Sequence, residues 1–409
     1  MRLFISTGEP SGDLHAANLI HSLRKCLPDA EFVGFGGPRM AAAGADLLYP
    51  LVELAVMWFV RVLLNLPTFI RLLFQANRYF RDQRPDAVIL IDYPGFNWCV
   101  ARRAKRHGIP VFYYVPPQIW AWAGWRVEKV RKYVDQVLCG LPFEPAWYHA
   151  RGVPGAIHVG HPYFDELAER ELDEAFLAEQ RDRGGTVLAI LPGSRTQELL
   201  KNLPTMLAAA ARLGESRPDV RFVVACLHEK HRALAREILG QSGVRLPIEV
   251  HAGRTPELIR LADVAWAVSG SVGLELMAEA LPSVVLYKMR AFDLWLARKF
   301  IKAKYISLVN LLADAELYPE YLTSEDVSGQ LADWARTWLN DPAARAEKAA
   351  ALAALRDRDA SPGASDRAAD RIVAALVPAA TPQGRHAFKR PHATPAAETA
   401  GDRRGDCVP

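Results

Sequence analysis

Cysteine is scarce in this 409-residue chain: Cys26, Cys99, Cys139, Cys226 and Cys407 are five in number, with no CxxC pair among them. That pattern argues against a disulfide framework or a structural zinc site and favours a reducing compartment. A charge excess is lacking too. Fifty basic against 46 acidic side chains leave +4, without the concentrated basic face of a nucleic-acid binder, so no nucleic-acid partner is expected. The first residues, Met1 to Ser6, hold an apolar stretch shorter than a secretory core. A spanning helix wants about 20 nearly uninterrupted apolar residues, and the most hydrophobic region, Leu51 to Phe74, is broken by Glu53, Arg61, Asn65, Pro67 and Arg71. GxxxxGK[ST] and HExxH are missing, and Gly34-Phe35-Gly36-Gly37 does not fit GxGxxG, which removes the usual support for P-loop and nicotinamide chemistry. Cys226, His228, Glu229 and His231 lack a second ligand pair and read as a surface loop rather than a metal site.

What is present is an ordinary soluble composition, 50% hydrophobic and 23% charged, in a chain long enough for two full cores. Short apolar runs alternate with helical patterns. The first series comprises Leu3–Ser6, Glu31–Phe35, Ala87–Ile91, Val111–Val115, Gln136–Cys139 and Ala156–Val159. A pause near Gly160–Pro162 and a polar helix to about Arg183 precede a second series. Its runs are Thr186–Leu191, Val220–Ala225, Pro247–Val250, Val264–Val268 and Ser283–Tyr287. Alternation of this kind predicts an α/β architecture of two doubly wound parallel sheets, with ligands in the cleft beyond the strands' carboxyl ends. The expected boundaries are 1–165 for an N-terminal domain and 185–340 for a C-terminal one. After the last helix, residues 377–409 are poor in large aliphatics and read as a disordered tail.

Several strand-end turns carry residue types suited to chemistry. Gly8-Glu9-Pro10-Ser11-Gly12-Asp13 joins a strand to a helix, with glycines that let a ligand approach backbone donors. Asp92 ends the run Val88–Ile91 and is either a general base facing the cleft or a helix cap. Pro192-Gly193-Ser194-Arg195 opens a helix in the second half. Its backbone donors and guanidinium suit a diphosphate, and Glu198 is either a first-turn carboxylate or a partner of Arg195. Ser269-Gly270-Ser271 follows another strand, and Glu275, one turn into the next helix, is within reach of a ribose. Each turn alone also fits an ordinary βα connection. Within Leu51–Phe74, aromatic and aliphatic residues with sparse arginines fit either a helix lying in a bilayer interface or a buried hairpin around Pro67. Trp120, Trp122 and Trp125 follow Pro116-Pro117 and are succeeded by Arg126, Lys129, Arg131 and Lys132.

In their order, these segments resemble the lipid-A-disaccharide synthase family. The likeness runs from Arg2 to about Leu376. It rests on the Gly8–Asp13 turn, Gly37-Pro38-Arg39-Met40, Glu53–Met57, Ile91–Asn97, Gln118–Trp122, Leu141–Glu144, Val159–Pro162, Leu191–Arg195, Ser269–Ser271 and Tyr305–Leu312. The resemblance implies a glycosyltransferase-B fold with the last helix, about 341–376, returning to the N-terminal domain. It implies an inverting, metal-independent glycosyltransferase with no cofactor. The donor would be UDP-2,3-diacylglucosamine and the acceptor 2,3-diacylglucosamine 1-phosphate (lipid X). It further implies a cytoplasmic enzyme peripherally bound to the inner membrane and association of two copies through their C-terminal parts. Carried over, Asp92 becomes the base for the acceptor hydroxyl, and Arg195 and Asn310 join it as catalytic residues. Gly193, Ser194, Arg195, Ser269, Gly270, Ser271 and Glu275 bind the donor, and Gly8, Glu9, Ser11, Gly12 and Asp13 form the acceptor loop. Met57, Trp58, Phe69, Leu72 and Leu73 meet membrane or acyl chains. Trp58, Arg61 and Gly95 depart from the family pattern. A UDP-sugar epimerase of the same fold is the alternative.

Overall fold

Strands covered on both faces need apolar side chains pointing both ways, and the runs above supply them. The computed structural model describes residues 1–55 and 65–377 and arranges them around two parallel sheets. The first contains β1 (Arg2–Ser6), β2 (Glu31–Phe35), β3 (Asp46–Tyr49), β4 (Ala87–Ile91), β5 (Val111–Tyr114), β6 (Gln136–Cys139) and β7 (Ala156–His158), in the order β3-β2-β1-β4-β5-β6-β7. The second contains β8 (Thr186–Leu191), β9 (Val220–Cys226), β10 (Ile248–Ala252), β11 (Val264–Ala267), β12 (Ser283–Lys288) and β13 (Glu320–Thr323), in the order β10-β9-β8-β11-β12-β13. Strand order reverses at β1/β4 in one sheet and at β8/β11 in the other, which are the positions where such sheets bind ligands.

Period-two alternation sorts the core into layers. In β1 and β4, Phe4, Val88 and Leu90 face one side with Phe80 and Phe96, while Leu3, Ile5, Ile89 and Ile91 face the other with Leu19 and Ile20. The second sheet divides in the same way. Leu188, Ile190 and Trp266 lie beneath the helix Thr196–Ser216, and Ala189, Leu191 and Ala267 lie against Leu274 and Leu276. Edge strands β3 and β13 are not among the runs read from sequence. Both are only partly buried and lack a continuous apolar signal.

Two other expectations change. The return to the first domain is confined to the helix Ala364–Leu376, whose Ala368, Ala369 and Ile372 pack with Leu3, Ile5 and Leu19. The preceding helix Pro342–Asp359 stays with the second domain through Leu352 and Leu355. In the helix Leu66–Gln83, Phe69 and Leu72 do not face lipid. They are buried beside Phe96 and Phe80, and Leu73 packs against the same cluster. The outward apolar residues are instead Leu66, Ile70 and Phe74, four apart and therefore on one stripe. Met57 and Trp58, and the tail from residue 378, lie outside the described residues.

The chain crosses between the domains twice, and one buried carboxylate joins the crossings. Asp165 accepts from the backbone N–H groups of Gly363, Ala364 and Ser365 at 2.6, 2.9 and 2.9 Å, capping the returning helix. Arg367, one turn later, donates through Nε to the Val159 carbonyl at 2.7 Å. Its guanidinium occupies the space a Cβ would need at Gly160, whose φ of +91° also favours glycine. Replacing Asp165 by alanine strands three donors, so Asp165→Ala is expected to lower unfolding free energy by about 1–3 kcal/mol, read by urea denaturation.

Candidate active site

Asp92 follows β4 directly and takes a left-handed conformation, φ +45°, as does Tyr93. Such a pair of non-glycine residues is costly unless its surroundings enforce it. Two side chains do so here. The Asp92 carbonyl accepts from Asn97 Nδ2 and from the Tyr113 hydroxyl, both at 2.8 Å. Asn97 is fully buried and also donates to the carbonyls of Ser6 and Ile91 while accepting from Ser6 Oγ at 2.7 Å. The ends of β1 and β4 are thereby joined, and Asp92 is held just past the carboxyl end of β4.

Burial pushes the Asp92 carboxyl up to about 6, and the Glu9 charge pushes in the same direction. The Tyr93 N–H and the Arg195 guanidinium act against the shift. Arg195 belongs to the other domain, so the electrostatics of Asp92 already join the two lobes. A carboxylate poised near 6 is a competent proton acceptor at neutral pH.

The first turn divides its labour. Gly8 is buried with Tyr93 against it, and a Cβ there would lie 2.4 Å from the ring. Glu9 precedes the helix Pro10–Cys26, Ser11 is exposed in its first turn, and Gly12 packs on Thr7. Asp13, expected in the acceptor loop, points elsewhere. It is buried and accepts from the N–H groups of Gly37 (2.8 Å), Arg39 (3.0 Å) and Met40 (3.1 Å), anchoring the neighbouring turn.

Across the gap, Gly193 has φ +118° and lies against Glu198. Glu198 Oε2 accepts from the N–H groups of Ser194 and Arg195, and Oε1 meets Arg195 Nη1 at 3.2 Å. Both roles read for Glu198 therefore occur together. The Arg195 side chain remains 73% exposed, free to meet an anion at the start of the helix Thr196–Ser216. Gly270 and Ser271 are exposed beyond β11, while Ser269 Oγ donates to the Ile306 carbonyl at 2.6 Å.

Two expected contact residues turn inward. Glu275 is buried, with Oε2 accepting from the Tyr163 hydroxyl at 2.8 Å and Oε1 from Arg170 at 2.5 Å, so in this conformation it ties the second domain to the connecting segment. Asn310, read as catalytic, has no exposed surface. Its amide donates to Tyr318 O (2.7 Å) and Glu320 Oε2 (3.0 Å), and its carbonyl accepts from the N–H groups of Leu317 (2.9 Å) and Tyr318 (2.8 Å). Asn310 therefore bridges backbone segments and presents no surface to the cleft. Glu320 in turn accepts from the N–H groups of Ile306 and Ser307 at 2.7 and 3.0 Å. The network ends at Ser269 and supports the small-residue turn from behind.

With this geometry described, comparison with known proteins is informative. The family model for lipid-A-disaccharide synthetase matches residues 3–370. The chain belongs to the lipid-A-disaccharide synthase family. Its relatives include lipid-A-disaccharide synthases of Myxococcus xanthus, 38% identical over 90% of this chain and 95% of that one, and of Anaeromyxobacter dehalogenans, 37% identical over 89% and 94%. Among solved structures, the Staphylococcus aureus MnaA–UDP complex aligns with a TM-score of 0.64 at 12% identity, covering 92% of this chain and 96% of that one. A Neisseria meningitidis UDP-GlcNAc 2-epimerase bound to UDP-GlcNAc gives 0.62 at 13%, covering 92% and 99%. A glycosyltransferase of Rickettsia africae gives 0.56 at 10%, covering 92% and 98%. These last likenesses concern the fold alone, which is the glycosyltransferase-B type, and the family membership makes the chain a glycosyltransferase.

Sequence reasoning missed Glu320, and noted Tyr113 and Asn97 without the roles they play here. Asn97 had a usable signal: an amide spaced i, i+3, i+4 and i+7 with Val100, Ala101 and Ala104 along the apolar face of its helix. Glu320 had none, because β13 itself went unread. Glu144 ends the Leu141-Pro142-Phe143-Glu144 motif and is buried, its carboxyl pushed up to about 7 by burial against the N–H groups of Leu141 and Trp120 that it binds. It thereby fixes the tryptophan-bearing segment after β5. Removing the negative charge of Glu9 lowers the proton affinity of Asp92. The acid limb of the kcat/KM–pH profile is expected near 6 from the raised Asp92 carboxyl, and Glu9→Gln is expected to move it to lower pH.

Proposed function

We propose that the chain transfers 2,3-diacylglucosamine from UDP-2,3-diacylglucosamine to the 6-hydroxyl of lipid X, releasing UDP and forming a β-1,6 disaccharide with inversion. Family membership supports the reaction class. The observation that carries the residue roles is a proton acceptor on one lobe, Asp92, held within electrostatic reach of an exposed guanidinium on the other, Arg195. In this reading Asp92 takes the hydroxyl proton as the oxygen attacks the anomeric carbon. Arg195, with the backbone donors at Gly193–Arg195 and Ser269–Ser271, stabilises charge gathering on the departing UDP. Asn310 and Glu320 hold the second of those turns in register.

The substrates' acyl chains call for a lipid-facing surface, and the stripe Leu66, Ile70 and Phe74 is the part of the first domain suited to it. No helix among the described residues is long and apolar enough to cross a membrane. Peripheral binding at the inner membrane's cytoplasmic face fits that stripe. Association of two copies through their C-terminal parts rests on the family resemblance alone.

Mass spectrometry of products from UDP-diacylglucosamine and lipid X tests donor, acceptor and bond together. An epimerase would release no UDP in net turnover, so UDP release that depends on added lipid X supports the transferase and isomerised donor without UDP release favours the epimerase reading. Asp92→Asn is expected to lower kcat by about 10²–10⁴-fold with donor affinity retained. Arg195→Ala is expected to weaken UDP binding roughly tenfold to a hundredfold by calorimetry. Leu66→Ser/Ile70→Ser/Phe74→Ser is expected to reduce vesicle co-sedimentation, whereas Phe69→Ser is expected to destabilise the fold by about 2–5 kcal/mol.

A further inference from the structure

The helix Ala291–Phe300 is amphipathic in the wrong sense for a surface helix. Leu294 alone among its large apolar residues is buried, whereas Phe292, Trp295, Leu296 and Phe300 are 70, 53, 42 and 50% exposed. Their spacing, i, i+3, i+4 and i+8, makes a single outward stripe. Phe292 and Trp295 stack at 6.0 Å, and Lys299 Nζ sits 3.8 Å over the Trp295 ring. Arg290, Lys299 and Lys302 are exposed around the stripe. Four large apolar side chains turned to solvent on ten residues form a patch that monomeric proteins seldom leave uncovered.

The position of the patch narrows its occupant. The helix begins three residues after β12, and β12 is parallel to its neighbours, so it starts at the carboxyl edge of the second sheet. Just beyond it, the N–H groups of Lys302 and Ala303 donate to the Ala121 carbonyl of the first domain at 2.7 and 3.3 Å. Ala121 lies between Trp120 and Trp122 in the segment after β5, where Trp122 and Trp125 are 40 and 60% exposed and Arg126 lies 4.5 Å from the Trp122 ring. Aromatic and basic groups from both lobes thus meet at one rim of the cleft.

We propose that this rim, formed by Phe292, Trp295, Leu296 and Phe300 together with Trp122 and Trp125, is a second membrane-contact surface that seats the cleft mouth on an anionic bilayer. Tryptophan and phenylalanine with flanking lysine and arginine match the headgroup boundary: rings enter the acyl margin and cations meet lipid phosphates. A twofold contact with another copy is disfavoured by the same cations, since it would set Arg290, Lys299 and Lys302 against their equivalents. The inference deepens the proposed function and rests on its reading that both substrates are membrane lipids, whose acyl chains leave the cleft toward the bilayer.

The test uses the full chain without substrate, floated with vesicles of phosphatidylglycerol and phosphatidylcholine in equal parts or of phosphatidylcholine alone. Phe292→Ser/Trp295→Ser/Phe300→Ser is expected to lower partition into the mixed vesicles roughly tenfold or more, with an unchanged circular dichroism spectrum. A milder variant guards against misfolding: brominated phosphatidylglycerol should quench the unmodified protein more than Trp295→Phe. Unchanged partition in the triple variant, or equal quenching in the two proteins, overturns the proposal. So does a dimer that the triple variant splits, seen by sedimentation velocity with partition intact, because that assigns the stripe to a second copy. Turnover of detergent-dispersed donor and acceptor separates the two readings. If it is absent while stripe-dependent partition persists, the assigned reaction fails and this surface stands. If it is present while partition ignores the stripe, the reverse holds.

Discussion

One buried amide holds the reacting end of the first lobe together. Asn97 bridges the termini of β1 and β4 and, with Tyr113, secures a left-handed backbone that Asp92 would not adopt by preference. The strain is borne by hydrogen bonds inside the domain, so the carboxylate is presented without mobile supports of its own. The same carboxylate is half-buried beside Glu9, which keeps its proton affinity near neutrality. Position and acidity thus have a common origin in the packing of one strand end.

The second lobe follows the same principle with different parts. Glu198 gathers the backbone of the Gly193–Arg195 turn, and the Asn310–Glu320 network gathers the segment behind Ser269. In each lobe the groups left free to meet a ligand are few, and the buried amides beneath them, Asn97 and Asn310, bond mainly to backbone. Satisfied networks of this kind specify a single arrangement, which is what an in-line displacement needs.

Most of the architecture could be read from the chain because central parallel strands are continuous apolar runs, and eleven of the thirteen strands were anticipated from them. β3 and β13 went unread because each is a four-residue edge strand that opens on an acidic residue, Asp46 or Glu320, and has no fully buried position. At the site, residue types in turns pointed to the right places, as with Asp92 and Arg195. They did not separate residues that face the cleft from residues that hold it. Asp13, Glu275 and Asn310 are polar residues in or beside suggestive turns, yet each spends its bonds on protein groups. Facing is a tertiary property, decided by which backbone donors come near. The same limit governed the helix Leu66–Gln83: its composition announced amphipathicity, but only the packing of Phe69 and Leu72 established which stripe looks outward.

The clasp between Asp165 and the start of the helix Ala364–Leu376 bears on how the lobes can move. Both interdomain strands of chain pass through one small region and are bonded to each other there, so relative sliding would break three charge-assisted bonds at once. Rotation about that point leaves them intact. The bonds from Lys302 and Ala303 to the Ala121 carbonyl are a second tie between the lobes, so a hinge turning on the Asp165 clasp has to release that rim before the cleft can widen.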